Sequence, residues 1–291
     1  RLLLRAIVFW HWLFGQRARQ ASRAYLARLH AFSGGRTPRP TAANAYRHLL
    51  AFANSALDKV AGWRGRIAYT DLDFPGRAQL ETLQAQGRGA ILLGAHLGNL
   101  EMLRALALSH AQVTINAVVY TAHAQRFTET LAASSERFRL NLLHVPAFGP
   151  DTAILLREKV ERGEFLVIVG DRTPPSERSA GRVSHVDFLG APALFPQGPY
   201  VLAALLECPV YFFACVREGR GFHVHLAPFA ERVELPRKER QAALAGLARR
   251  YAEELEALCL RAPLQWFNFF DFWQPAPPAN PSPSTPTRRI P

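Results

Sequence analysis

Residues 90–101 read AILLGAHLGNLE, and this stretch decides the fold class that we predict. The apolar run 90–93 predicts a buried strand, and Gly98 and Asn99 predict a tight turn followed by the N-cap of a helix. His96 then lies in the turn and Glu101 in the first helical turn. Both side chains can point into one cleft beyond the carboxyl end of a strand, where open α/β sheets bind their ligands.

This pair of side chains predicts an acid–base site. We expect His96 to act as general base on an acceptor hydroxyl, with Glu101 holding its tautomer and stabilising the imidazolium. The helix N-terminus adds backbone N–H donors suited to an oxyanion or a phosphate. The spacing is not selective, because 10 histidines and 23 acidic residues in 291 give about 0.8 such pairs by chance. An alternative stays open, in which Glu101 favours the helix dipole and His96 bonds a backbone group.

Strand-like and helical segments alternate along the chain, which predicts an α/β fold with a mostly parallel central sheet flanked by helices. Predicted strands lie near 90–95, 113–120, 142–145, 165–169, 183–188, 210–216 and 222–226. Predicted helices run to about 30 and lie near 41–60, 76–86, 99–108, 124–137, 150–162, 197–206 and 237–260. We divide the chain into a membrane-associating helical region 1–36, an α/β domain 37–273 and a disordered Pro-rich tail 274–291.

The N-terminal segment predicts a helix that lies in a membrane interface. Its apolar run 2–14 carries four aromatic residues and precedes a series of arginines at 17, 19 and 23. Such a helix places its apolar side in lipid and its arginines at the headgroups. The run is shorter than the ~20 residues that a bilayer span needs. The alternative is a helix docked on its own domain.

Composition favours an anionic partner and gives no sign of a metal. The formal net charge is +12, which suits phosphorylated lipids, a membrane surface, an acidic carrier protein or nucleic acid. The alternative is that the arginines reflect codon usage. Three scattered cysteines form no CxxC pair, which fits a reducing compartment and buried thiols. His223 and His225 share a strand face, but no third ligand lies near them in sequence, so we predict no metal site.

Several segments together resemble a known family. Residues 94–101, GAHLGNLE, are similar to the His-x4-Asp/Glu block of lysophospholipid acyltransferases, and more closely to the His-x-Gly-Asn-x-Glu form in the late acyltransferases of lipid A biosynthesis. Further blocks agree in order at 118–139, 169–172, 186–193 and 210–224, so the likeness spans about residues 5–273. The Asp-Arg pair at 171–172 and the N-terminal segment 19–26 resemble a branch associated with aryl polyene lipid gene clusters.

The resemblance implies roles for particular residues. It makes His96 the base and Glu101 its partner. Arg137, or Arg139 if the alignment slips, would bind a phosphate or the donor, and Asp171 becomes a site residue. Arg172 and Gly190, the latter in a Phe-x-Gly-x-Pro turn, would contribute to substrate binding. From the residues themselves, three arginines at 172, 178 and 182 crowd one loop and could clamp a phosphate, or simply form a solvated basic loop.

The resemblance implies an acyltransferase at the cytoplasmic face of a bacterial inner membrane, with no metal or cofactor. It would move a fatty acyl group from an acyl carrier protein, in preference to acyl-CoA, to a hydroxyl of a lipid or lipid precursor. The acceptor would attack the thioester directly, because no activated serine or cysteine accompanies His96. The rivals are a glycerolipid acyltransferase, a metal-assisted hydrolase, and a non-enzymatic basic module that binds membranes or nucleic acid. The last lacks a helix-turn-helix, RNP or zinc-finger signature, and we expect no nucleic-acid partner.

Overall fold

The computed structural model describes residues 2–63, 67, 72–102, 114–119, 140–144, 150–173, 178, 180–219 and 221–273. The predicted helix near 124–137, most of the one near 99–108 and the Pro-rich tail lie outside these residues. So do Arg137 and Arg139. Of Glu101 the structure describes the backbone and not the side chain.

The N-terminal region folds into two helices where the sequence predicts one. Helix α1 spans Leu2–Phe14 and α2 spans Gln16–Phe32, with the break at Gly15. A Cβ at Gly15 would lie 2.4 Å from the carbonyl oxygen of His11, so the close backbone approach at this break requires glycine. Helix α3, Ala42–Trp63, follows the predicted turn and packs against both α1 and α2.

Helix α1 leaves most of its apolar side chains exposed. Val8 is buried, whereas Leu2 is 81% exposed and Trp10 and Phe14 are each 64% exposed. Among the described residues, no helix combines the length and the hydropathy needed to cross a membrane. The docked alternative therefore accounts for one side of α1 and leaves its other side without a protein partner in the described part of the chain.

A seven-stranded sheet forms the centre of the molecule. Its strands, in sequence order, are β1 Leu72–Asp73, β2 Ala90–Gly94, β3 Ile115–Val119, β4 Leu140–His144, β5 Phe165–Val169, β8 Val210–Glu218 and β9 Gly221–Ala230. The spatial order is β1-β9-β8-β2-β5-β3-β4, and every neighbouring pair is parallel except β8 and β9. The prediction of a mixed α/β fold with a mostly parallel central sheet is confirmed.

Two strands, β1 and β7, were not predicted from the sequence. Strand β7, Ala191–Pro196, pairs with the predicted strand β6, Val183–Phe188, in a separate antiparallel hairpin. Its two-residue turn consists of Leu189 and Gly190, both with positive φ, which matches the twist of paired strands. Two prolines in β7 hide it from a strand prediction, since proline is confined to edge positions. Strand β1 has two residues, too few to show any alternation.

The remaining helices lie where the periodicity predicts them. They are α4 Arg77–Ala85, α5 Pro150–Glu161, α6 Gly198–Leu206 and α7 Arg240–Arg261. After β2 the described chain forms a single 3₁₀ turn, Leu100–Met102.

The two faces of the sheet carry separate hydrophobic clusters. Ile91 and Leu93 of β2 belong to a large cluster with α6, α7 and the hairpin, and Ala90 and Leu92 belong to a smaller cluster on the other face. All five residues of β2 are buried. A parallel strand that is covered on both faces is a continuous apolar run in the sequence, so this strand could be predicted from the sequence alone. The three cysteines are free and buried.

Gly98 fixes the course of the chain after β2. Its φ is +69°, and a Cβ there would lie 2.0 Å from the carbonyl oxygen of Cys215 on β8. The amide of Asn99 donates to that same carbonyl at 2.7 Å. The loop can therefore approach β8 only because residue 98 has no side chain.

We expect Gly98→Ala to destabilise the protein far more than Gly87→Ala, which serves as its matched control. Gly87 also has a positive φ (+64°) but open space where a Cβ would lie. The backbone penalty of roughly 1–2 kcal/mol applies to both, and the clash adds about 1–3 kcal/mol at position 98 alone. Urea unfolding of both variants measures the difference. Equal losses would show that the loop after β2 can move away from β8.

A candidate acid–base site at the ends of two parallel strands

The residues of the candidate site follow two adjacent parallel strands. Strand β2 pairs with β5 so that Gly94 lies opposite Val169, and the amide of Gly170 donates to the carbonyl of Gly94 at 3.0 Å. His96 follows β2 by two residues, and Asp171 follows β5 by two residues. The shared register therefore brings the two side chains to the same edge of the sheet.

His96 and Asp171 form a hydrogen-bonded pair. His96 Nδ1 lies 2.7 Å from Asp171 Oδ1, and the backbone N–H of His96 donates to Asp171 Oδ2 at 2.9 Å. The Asp171 side chain is 1% exposed, whereas 30% of the His96 side chain is exposed. One face of the pair is therefore sealed in the core, and the other is open to a substrate.

A third donor completes the environment of Asp171. The indole N–H of Trp266 donates to Oδ2 at 2.9 Å. Burial alone would raise the pKa of Asp171, but the charge and hydrogen bonds of His96 and the hydrogen bond of Trp266 bring it below its ordinary value. Asp171 is therefore ionised at neutral pH and accepts a hydrogen bond from the Nδ1–H of His96.

The pairing leaves His96 Nε2 as the free basic atom. With Nδ1–H directed at the carboxylate, the neutral ring carries its lone pair on Nε2. In the part of the chain that the structure describes, no protein group bonds to Nε2. The arrangement can take a proton from a hydroxyl at Nε2 and stabilise the resulting imidazolium through Asp171.

The sequence analysis assigned the orienting role to Glu101, and at Nδ1 the structure shows Asp171 instead. Glu101 lies in the 3₁₀ turn, and its side chain is not described. A role for Glu101 elsewhere in the site stays a prediction. The signal that could have identified Asp171 as the partner at Nδ1 is that it, like His96, follows a predicted apolar strand within two residues of the strand's end.

Two backbone amides in the loop before the predicted helix already have protein acceptors. Gly98 N–H donates to Gln265 O at 2.8 Å, and Asn99 N–H donates to Cys215 O. The Asn99 side-chain amide donates to Ser55 O at 3.2 Å. These groups hold the loop to β8, to α3 and to the segment around 265, so they are not free to bind an oxyanion.

Of the other predicted binding residues, the structure describes Arg172 and Gly190. Arg172 follows Asp171 directly, donates to Phe267 O at 3.0 Å, and places its guanidinium 5.7 Å from the Phe270 ring centroid. Gly190 lies in the β6–β7 turn. Arg137 and Arg139 lie outside the described residues.

The aromatic segment 266–273 packs against the domain. Trp266, Phe267 and Phe272 are buried, and the Phe188 ring of β6 lies 5.2 Å from Trp266 and 5.6 Å from Phe272. Phe188, Phe195, Phe212 and Phe213 are fully buried core residues. Of this segment, Phe270 is the large apolar side chain that stays exposed.

His223 and His225 have protein partners. His223 Nδ1 lies 2.6 Å from Asp73 Oδ2, and its Nε2 accepts from Arg261 at 3.1 Å. His225 Nε2 lies 3.6 Å from Glu254. Among the described residues, no group of three or more potential ligands is arranged to hold a metal ion.

An open cleft of about 480 Å³ adjoins the histidine loop. Its walls come from α1, α3, the loop at Gly98 and Asn99, the β8–β9 turn and the segment 264–267. Arg217 forms an ion pair with Asp58 across it, with Nη2 and Oδ2 2.6 Å apart. The cleft thus lies between helices α1 and α3 and the loop that follows His96.

His48 links α2 and α3 to the candidate site, and the sequence analysis did not single it out. Its ring is fully buried. Nε2 lies 2.8 Å from the carbonyl oxygen of Trp266, which can only accept, so Nε2 carries the proton. Nδ1 then accepts from the hydroxyl of Ser22 at 2.9 Å. Burial lowers the pKa of His48 to about 4, outweighing the bond to Trp266 that favours the charged form.

We expect His48→Gln to flatten the acid side of the stability curve. In the unfolded chain His48 takes up a proton near pH 6.5, whereas in the folded protein it resists protonation down to about 4. The contribution of this residue is therefore present above pH 6.5 and lost as the pH falls. The loss amounts to about 2 kcal/mol between pH 7 and pH 5. A glutamine keeps one donor and one acceptor without titrating.

The measurement is the free energy of unfolding in urea at pH 7 and pH 5. The matched control is His185→Gln, which removes an exposed histidine from β6. We expect the drop between the two pH values to shrink in His48→Gln and to stay as in the wild type in His185→Gln. An unchanged drop in His48→Gln would show that His48 is not held neutral in the fold.

Comparison with known proteins yields one family. The family model for bacterial lipid A biosynthesis acyltransferases matches residues 52–274 of the 291. The match begins within α3, later than the residue 5 expected from the resemblance, and it includes His96, Asp171 and Trp266. No curated protein sequence matches the chain significantly.

Proposed function

The chain belongs to the bacterial lipid A biosynthesis acyltransferase family, and on that premise we propose that it transfers a fatty acyl group from a thioester donor to a hydroxyl of a lipid or lipid precursor. Family membership assigns acyltransferase activity with an acyl donor and a lipid acceptor. The choice of thioester, the hydroxyl acceptor and the roles of the residues are our proposal. The observation that carries it is the His96–Asp171 pair at an open edge of the sheet.

The proposed reaction uses His96 twice. Nε2 takes the proton of the acceptor hydroxyl as the oxygen attacks the thioester carbonyl carbon. The tetrahedral intermediate then collapses, the C–S bond breaks, and the leaving thiolate takes the proton back from Nε2. The products are an ester and a free thiol. Asp171 stays ionised throughout and stabilises the imidazolium formed between the two steps.

We propose an acyl carrier protein as the donor, in preference to acyl-CoA. The net charge of +12 supports it, because carrier proteins are acidic and opposite charges accelerate encounter. We propose that Arg172 contacts a phosphate of the donor or acceptor, since this exposed residue directly follows Asp171. Arg137, Arg139 and Gly190 keep the site roles that the resemblance implies, and Glu101 stays a proposed site residue in a role other than orienting His96 at Nδ1.

We also propose that α1 holds the protein at the cytoplasmic face of the bacterial inner membrane. Its exposed aromatic side chains support this, with the Trp10 and Phe14 rings 4.5 Å apart. Arginines 17, 19 and 23 follow in α2, at the level where lipid phosphates would meet them. A lipid acceptor is then presented where the enzyme already resides.

We expect His96→Ala to lower acyl transfer by roughly 10²–10⁴-fold, the usual scale for removing a general base. The assay incubates the protein with acyl carrier protein carrying radiolabelled acyl chains and a membrane extract, and resolves products by thin-layer chromatography. The matched control is His185→Ala, which we expect to keep wild-type activity. Near-normal turnover by His96→Ala would contradict the assignment of the base.

Further arms of this assay decide the substrates. Acyl-CoA replaces the carrier protein in one arm, and lysophosphatidate replaces the extract in another. Preference for acyl-CoA would contradict the proposed donor, and efficient use of lysophosphatidate would favour the glycerolipid reading. No label transfer by folded protein with several chain lengths would contradict the proposed function.

We expect the double variant Trp10→Glu/Phe14→Glu to weaken binding to vesicles of anionic and zwitterionic phospholipid by about tenfold or more, because it removes buried aromatic area and adds repelling charge. The matched control is Leu155→Glu/Leu205→Glu, which changes two exposed apolar residues on α5 and α6. Co-sedimentation with vesicles measures the bound fraction. Equal binding by wild type and both variants would contradict attachment through α1.

A further inference from the structure

Trp266 lies directly behind the candidate dyad. Its side chain is fully buried, and its indole N–H reaches Asp171 Oδ2 at 2.9 Å. The rings of Tyr25, Phe188 and Phe272 surround it at centroid distances of 5.0, 5.2 and 5.0 Å. The indole therefore has little freedom to turn, and its one donor is aimed at the carboxylate.

The backbone around Trp266 is fixed as firmly as its ring. Trp266 forms an isolated antiparallel bridge with Leu97, Phe267 N–H donates to His96 O at 2.8 Å, and Gly98 N–H donates to Gln265 O. On its other side, the Trp266 carbonyl accepts from His48. The segment that supplies the indole is thus hydrogen-bonded to the same loop that carries His96.

We propose, building on the proposed function, that Trp266 is a positioning residue for the transfer reaction. By holding Oδ2, its indole N–H fixes the rotation of the Asp171 carboxylate, so that Oδ1 faces His96 Nδ1. This hydrogen bond and the one from His96 Nδ1 both stabilise the negative charge of Asp171. The one N–H of the indole is used by Asp171, so in this proposal Trp266 acts through the carboxylate.

The charge-sharing role has a direction that experiment can detect. A carboxylate that loses one donor carries more charge toward its remaining partners and stabilises an imidazolium more strongly. Removing the indole N–H should therefore stabilise the imidazolium of His96 relative to its neutral ring. The acid limb of the pH–rate profile then moves to higher pH, whereas a purely structural loss lowers activity without moving the limb.

The experiment compares Trp266→Phe with Trp273→Phe. Trp273 belongs to the same aromatic cluster, stacks on Phe188 at 5.9 Å and donates its indole N–H to Phe188 O at 3.2 Å, not to Asp171. In acyl transfer at saturating donor we expect kcat to fall about tenfold or more in Trp266→Phe, with KM for the donor nearly unchanged. We expect the midpoint of the acid limb to rise by about 0.5 pH unit or more. Trp273→Phe should keep the wild-type midpoint.

A wild-type midpoint in folded Trp266→Phe, or an equal rise in both variants, would overturn the proposal. A second measurement needs neither turnover nor the Trp266→Phe variant. In wild-type protein labelled with ¹⁵N-tryptophan, one of the five indole resonances should move with pH, and Asp171→Asn should displace that resonance. If no indole resonance responds to pH or to Asp171→Asn, the proposal fails. Absence of wild-type acyl transfer would overturn the proposed function, while the spectrum still decides the role of Trp266.

Discussion

The carboxylate of Asp171 is the interaction on which the rest of the site depends. It is sealed from water and accepts three hydrogen bonds, from the ring and the backbone of His96 and from the indole of Trp266. A buried carboxylate with fewer donors would favour its neutral form. The three donors come from two segments that are distant in sequence, so the charge of Asp171 ties the end of β2 to the C-terminal aromatic segment.

The main chain around the buried carboxylate of Asp171 is closely packed. The chain leaves β2 through Gly94 and crosses β8 at Gly98, where backbone lies against backbone. Across the sheet, Gly170 leaves room for the Tyr251 ring, whose buried hydroxyl donates to Gly94 O at 2.8 Å. The site is therefore built largely from main-chain contacts of the central strands. What the side chains add is one carboxylate, one base and the aromatic wall behind them.

The strands and the position of His96 could be predicted because both depend on local sequence patterns. A buried parallel strand is an apolar run, and a glycine followed by a good N-cap residue marks the turn after it. Which strands become neighbours is not local. His96 meets Asp171 across 75 residues because β5 inserts beside β2, and no periodicity within either strand records that choice. The role of orienting His96 was therefore assigned to Glu101, which is closer to His96 in the sequence. Trp266 and His48 were harder still, since buried aromatic and histidine residues usually serve packing alone.

The bond from His48 to Trp266 joins residues 218 positions apart, and this has a consequence for biosynthesis. During translation α1, α2 and α3 leave the ribosome long before Trp266, the residue that holds His48. Closing so long a loop is entropically costly and comes late in folding. The N-terminal helices can therefore form before the indole N–H of Trp266 reaches Asp171. The hydrogen-bonded environment of the His96–Asp171 pair is then completed late in synthesis, after the strands that carry both residues have been made.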